Sequence, residues 1–271
     1  MAEQDFKEDI QQEPIIRKFA ERELYPRFYK SIQFTENMDD QYGGVDYVLD
    51  GQKHDIKAQT KSYLNSPTET FCLEIGAYNK DMEWKKGWFV RNLLTQFYDW
   101  LWIHEAKVVY HGDKKPSNQF VENPEDIYVA EFMSVDVRKI KAALMFQYGV
   151  TLDDLWKIAC DMKNRYESTS HANKENVVEI HKGLKFVLSP WLKEKSINIV
   201  IKKEWYKQFA PLHAMYRRGY ITNLKNDGVS ERRCPKCGAL LVPRKRRSDG
   251  NPFLGCRNFP NCNYTENISN R

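Results

Sequence analysis

Asp50-Gly51, set between two runs of alternating residues, limits what this chain can fold into more than any other feature. Asp-Gly in that setting is a strong hairpin signal, because both central residues of a type I′ turn need positive φ. The turn sets a register in which Leu49 faces Gln52, Val48 faces Lys53, Tyr47 faces His54 and Asp46 faces Asp55. Side chains alternate along a strand, so Val45, Tyr47, Leu49, Ile56 and Ala58 share one face. Asp46, Asp55, Lys57 and Gln59 share the other. Directly opposed carboxylates have Cβ atoms about 5 Å apart and repel. A hard divalent cation relieves that repulsion and keeps waters that can react. Lys57 would orient or deprotonate such a water, or steady charge on a phosphate. The plainer reading is an exposed hairpin with ordinary charges, since Asp-x-Lys is common.

Asp46, eight residues, then Asp55-x-Lys57 resembles the PD-(D/E)xK nuclease superfamily. The resemblance implies a restriction-endonuclease-like α/β fold: a mixed central sheet flanked by helices. It also implies Mg²⁺ (or Mn²⁺) on Asp46 and Asp55, with Lys57 as the site lysine. The stretch from Gln41 to His104 is similar to small bacterial and phage endonuclease-like proteins. Gln41, Gly44, Asp46, Asp55, Lys57, Ala58, Thr70, Phe71, Glu74, Thr95 and Tyr98 carry that similarity. The acid before Lys57 is Asp rather than the commoner Glu, which alters reach and not chemistry. Gln59 and Glu74 complete the candidate catalytic set. In many of these nucleases a first-helix glutamate approaches the metal, which makes Glu23 a further candidate; a solvated Glu23 and an exposed Glu74 are the plain alternatives.

The chain has 271 residues, 41% hydrophobic and 29% charged, enough for one large domain with a small appendage. It has neither an apolar run long enough to span a bilayer nor a secretory leader, so a cytoplasmic location without membrane contact is expected. From Leu212 onward 12 Lys/Arg stand against 4 Asp/Glu, a surplus of eight, while the whole chain is only +5. The front part is therefore mildly acidic and the tail basic, an electrostatic footprint for nucleic acid. Cys72 and Cys160 stand alone and read as buried apolar residues.

Pro14 to Tyr25 reads as a helix with an apolar stripe of Ile15, Ile16, Phe19, Ala20 and Leu24. Ser31 to Gln41 reads as a polar connection. Strands are expected over Thr70–Ala77, Thr95–Ile103 and Ile127–Met133, with a helix starting near Asn92 as the alternative for the second, and with Trp100 and Trp102 in the core. Helices follow from Asp136 to about Gln147 and from Thr151 to about Asn164. Glu167 to Lys174 reads as a loop, Leu184–Leu188 and Ile197–Ile201 as paired late strands, and Glu204 to Arg218 as a last amphipathic helix or helical turn broken by Pro211. A nuclease-like domain over 1–221, a linker over 222–233 and a small module over 234–271 follow.

That module holds Cys234-Pro-Lys-Cys237-Gly238 and, further on, Gly255-Cys256 and Pro260-x-Cys262. Two such knuckles can place four thiolates around Zn²⁺, and so short a module needs the metal to fold. It resembles the four-cysteine zinc fingers at the C-termini of type IA topoisomerases, which implies DNA binding, single- or double-stranded. Arg244, Lys245, Arg246 and Arg247 suit phosphates, and Phe259 and Tyr264 suit base stacking. Packing of the little core, or a protein partner, is the other reading of this module.

The sequence thus supports a metal-dependent DNA endonuclease whose basic finger holds the substrate. The alternative is a non-cleaving nucleic-acid-binding or adaptor protein with a nuclease-like fold. A protein partner or a homodimer is compatible with either.

Overall fold

The computed structural model describes residues 12–35, 43–91, 93–168, 176–181, 184–190, 192, 194–224, 234–239, 241–246, 252–256 and 258–267. The expected hairpin is present: Asp50 and Gly51 both take positive φ, and β2 (Tyr47–Leu49) pairs with β3 (Gln52–Gln59) in the register the turn dictates. A short strand β1 (Ile32–Phe34) pairs with β2, where a plain connection was expected.

On its other side β3 runs parallel to β6 (Phe97–Ala106), a strand buried on both faces by Tyr98, Trp100 and Trp102 on one side and Leu101 and Ile103 on the other. Such two-sided burial suits an interior position. β7 (Val109–Tyr110) and β8 (Gln119–Phe120) pair with each other apart from this sheet. Then come β9 (Ile127–Asp136), β13 (Leu212–Arg217) and β14 (Tyr220–Asn223), giving a mixed seven-stranded sheet in the order β1-β2-β3-β6-β9-β13-β14. The expected helix over Glu204–Arg218 is corrected here. Only Lys203–Lys207 is helical, and past Pro211 the alternation of His213, Ala214 and Tyr216 becomes a sheet strand.

A helix over 12–19, continued by a wider turn at Ala20–Leu24, covers one face. Its Ile16, Phe19, Ala20 and Leu24 pack with Tyr47, Leu49, Ile56, Phe132 and Tyr216. The opposite face is covered largely by a second sheet, not by helices alone. β4 (Thr70–Tyr78), β5 (Trp84–Lys86), β10 (Val177–His181), β11 (Leu184–Leu188) and β12 (Ile197–Lys202) form it in the order β10-β11-β12-β4-β5. Two helices pack into the same core. Val137–Tyr148 is capped by Asp136, which accepts from the amides of Arg138 and Lys139, and Leu152–Ser168 starts behind Thr151, whose hydroxyl accepts from the Asp154 amide. The second helix runs to Ser168, so Glu167 and Ser168 are helical where a loop was expected; the rest of that stretch lies outside the described residues.

Trp100 and Trp102 are fully buried, as expected. Cys72 is exposed and Cys160 half-buried, which corrects both. In β4 the inward positions belong to Phe71, Leu73 and Ile75, so Cys72 turns away from the core. The C-terminal module is a three-stranded sheet of β15 (Leu241–Lys245), β16 (Pro252–Cys256) and β17 (Thr265–Asn267). Most of the expected linker lies outside the described residues. Among the described residues no helix is long and apolar enough to cross a membrane.

Candidate functional site

Asp46 sits just before β2, where its amide donates to the His54 carbonyl (2.8 Å) and continues the hairpin. The loop in front of it is fixed by Gly44 at φ +71°, whose carbonyl accepts from the Thr95 hydroxyl. A Cβ on Gly44 would also lie 2.8 Å from Leu93 Cδ1. Gly44, Asp46 and Thr95 thus work as one device that places the first carboxylate. Gln41 lies outside the described residues.

Asp55 and Lys57 follow on β3 with the predicted alternation, and Lys57 Nζ donates to Asp55 Oδ1 at 2.8 Å. Asp46 accepts from Arg17 Nη2 (2.9 Å) on Oδ1 and from the Ile56 amide (3.0 Å) on Oδ2. Burial raises Asp55, Lys57 lowers it, and the charge of Asp46 raises it again, leaving it near 7. Its own strand neighbour Tyr98 closes the floor and is pushed well above its ordinary value by burial and by the Asp55 charge. Burial pulls Lys57 down, but Asp55, Asp46 and Glu13 outweigh it and hold the ammonium charged. A charged Lys57 orients and stabilises anions; it is a poor base.

Glu74 does not arrive from a strand beside β3. It comes from β4 in the second sheet, where Oε1 accepts from the Trp88 amide (3.3 Å). Burial raises Glu74, while the Trp88 amide and the charge of Lys57 act against it. The Trp88 ring in turn lies 5.2 Å from Lys57 Nζ. Gln59 spends its amide on Thr68 and the Thr70 carbonyl (2.6 Å), so it braces the start of β4 and is not presented to the carboxylates. Glu23 acts on Tyr216 at the far end of the first helix. The glutamate of that helix whose charge reaches Lys57 is Glu13, one turn before Arg17. Arg17, Glu13 and Trp88 were not legible as site residues, because only the packing of the helix and of the β5–β6 loop brings them here.

The two aspartates supply hard oxygen donors of the kind that Mg²⁺ or Mn²⁺ takes. In this arrangement Arg17 and Lys57 provide the countercharge. A second polar cluster lies two strands away: Glu131 accepts from Lys203 (2.7 Å), His213 (2.7 Å) and His104 (3.1 Å). Burial raises Glu131, but these donors outweigh it and hold it well below the ordinary range.

In the C-terminal module the sulfurs of Cys234, Cys237, Cys256 and Cys262 all lie within 4.8 Å of one another. The pairs Cys234–Cys262 and Cys237–Cys256 are 3.6 and 3.4 Å apart, close to the sulfur spacing of a tetrahedral site with Zn–S bonds of about 2.3 Å. Burial raises the Cys234 thiol, yet amides of Lys236 and Cys237 and the neighbouring sulfurs bring it to about 7. Burial and the neighbouring sulfurs push Cys256 up to about 12, so only part of the set is a ready thiolate before a cation binds. Gly238, at φ +73°, turns the first knuckle, and its amide donates to the Cys234 carbonyl (2.8 Å). The residues fit a structural Zn²⁺.

Around it, the Arg244 guanidinium lies 5.3 Å from the ring of the exposed Phe259 and donates to the Cys256 carbonyl. Arg246 is exposed and lies over Phe253. Tyr264 packs against the cysteine core and donates to Glu266, so it serves the little core. Lys245 lies on β15, and Arg247 lies outside the described residues.

Residues 231–271 match the family described as the topoisomerase DNA-binding C4 zinc finger. No curated protein and no solved structure gives a significant match to the chain. The C-terminal module is thus a four-cysteine zinc module similar to those fingers, appended to a mixed α/β domain.

Proposed function

We propose that this protein is a metal-dependent DNA endonuclease, with Asp46, Asp55 and Lys57 as its catalytic unit and the zinc finger as its grip on DNA. The observation that carries this reading is the pairing of a buried Asp55, raised to about 7, with Asp46 on one side and Lys57 on the other. A buried carboxylate shifted by burial and by specific charged neighbours is a candidate functional group. Asp46 and Asp55 would hold Mg²⁺, which would supply Lewis acidity and an activated water. Lys57, kept charged, would stabilise the negative charge developing on the phosphoryl oxygens as water attacks phosphorus and the leaving oxygen departs. Trp88 limits the freedom of Lys57, and Glu74 holds Trp88 by its amide. The similarity of residues 231–271 to topoisomerase DNA-binding fingers supports DNA as the substrate.

Full-length protein should cut plasmid or oligonucleotide DNA with Mg²⁺ or Mn²⁺. Asp46→Ala, Asp55→Ala and Lys57→Ala should each lose about 10²-fold or more, the usual scale for one electrostatic catalytic group, with DNA affinity kept. Absence of cleavage by wild type across supercoiled, linear and single-stranded DNA would overturn the reading. One observation favours a non-cleaving DNA-binding protein as the second reading: both aspartates already have internal cationic partners in Arg17 and Lys57. Binding without cleavage is its signature.

A further inference from the structure

We propose that Arg17 is a contact for a DNA phosphate at the mouth of this site, with Phe34 as its platform. The proposal deepens the nuclease reading and rests on it for the place of the phosphate. Arg17 makes both of its ion pairs, to Glu13 and to Asp46, through the single nitrogen Nη2. Its Nε–H is buried and has no hydrogen-bond partner. A guanidinium presents its donors as a planar fork matched to carboxylate or phosphate oxygens, and a buried N–H without an acceptor is costly. The fork is therefore only partly used.

Arg17 lies over Phe34, with the guanidinium carbon 5.1 Å from the ring centroid. Phe34 is 41% exposed although its strand β1 closes the edge of the central sheet, and Tyr47 backs it at 5.7 Å. An exposed aromatic ring carrying a cation beside two carboxylates gives a place for a nucleotide: the phosphate on the fork, the sugar or base against the ring. Asp46 repels that phosphate until its own charge is taken up. A divalent cation on Asp46 and Asp55 would do so and would loosen the hold of Asp46 on Arg17. The phosphate then replaces the carboxylate on the fork. A guanidinium that serves only as countercharge to Asp46 would need neither the unpaired Nε–H nor the ring.

The test uses full-length protein, with duplex binding read across salt in Ca²⁺ and cleavage read in Mg²⁺. Arg17→Gln should reduce the slope of log affinity against log salt by about 0.9, the value for one lost phosphate contact on duplex DNA. Arg17→Lys keeps the charge and the pair with Asp46, so it should fold, keep the slope and still cut at least tenfold more slowly through loss of the fork. Phe34→Ala should weaken binding with the slope unchanged. An unchanged slope in Arg17→Gln, or wild-type cleavage in Arg17→Lys by an active enzyme, overturns the proposal. Should wild type fail to cut, the nuclease reading falls, and the slope of Arg17→Gln alone decides for or against the phosphate contact.

Discussion

Asp55 is where residue-scale chemistry has the largest consequence. Its ordinary value is 3.8 and the folded chain raises it to about 7, chiefly by burial. Below pH 3.8 folded and unfolded chains both hold the proton, and the group is neutral to stability. Between 3.8 and about 7 the unfolded chain releases a proton that the folded chain keeps, so stability falls as pH rises. Above 7 both forms are ionised and the loss is complete, on the order of 4 kcal/mol for a shift of this size. Melting temperatures of chelator-treated protein should therefore drop across that window. Asp55→Asn should flatten this part of the profile, and under the proposed function Mg²⁺ should restore stability at the alkaline end, because the proposed site is the ionised carboxylate pair. An unchanged profile in Asp55→Asn would show that the hairpin carboxylates are not buried together. The Glu131 cluster works in the opposite sense: its donors keep a buried carboxylate ionised, so it steadies the sheet at neutral pH.

At the scale of elements, the site depends on a junction between two sheets. β3 carries Asp55 and Lys57, β4 carries Glu74, and the turn at Gly87 and Trp88 ties them together. The Gly87 amide donates to the Ile75 carbonyl (2.7 Å), and a Cβ there would stand 2.5 Å from the backbone oxygen of Glu74. Backbone cannot yield as a flexible side chain can. Gly87→Ala should cost about 1–3 kcal/mol, the range for overpacking a filled site. It should also move Trp88 off Lys57, so cleavage should fall further than thermal stability alone explains. Thermal denaturation of the variant and its cleavage rate well below the melting point are the two measurements. A stable variant with full activity would mean that this turn does not position Lys57.

For the whole molecule, the proposed function implies a division of work by charge. The segment past Leu224 holds 10 Lys/Arg against 4 Asp/Glu, a surplus of six, whereas the whole chain has a net charge of +5, so the part up to Leu224 is −1. The structure also fixes where a cut can fall. β14 runs to Asn223, and the Leu224 amide still donates to the His213 carbonyl (2.7 Å), so the α/β domain extends past the expected boundary at 221. A chain ending at Leu224 should fold, lose most of its DNA affinity and salt dependence, and cut more weakly through a higher KM, since uniform binding is what the finger supplies. Equal affinity and equal salt slopes for the two lengths would assign the grip to the α/β domain and leave the finger as a contact for a protein partner.

Local rules settled much of this chain. The Asp50-Gly51 turn dictated the register that sets Asp46, Asp55 and Lys57 in place, because a two-residue turn leaves the strands no other pairing. The cysteine spacing gathered four sulfurs, because each knuckle is a local turn. The caps at Asp136 and Thr151 began their helices for the same reason. What the sequence left open depends on contacts between residues far apart in the chain. β4 joins a second sheet because β3 already has β2 and β6 as neighbours, so Glu74 reaches Lys57 across a junction and not along a ladder. The strand after Pro211 was read as helix, since only its pairing with β9 makes Leu212–Arg217 extended. Arg17, 29 residues from Asp46, and Trp88, 31 from Lys57, carry no local signal of their partners. Turn chemistry acts over a few residues and can be read from them; the partners of Asp46 and Lys57 were decided by which faces had to be buried together.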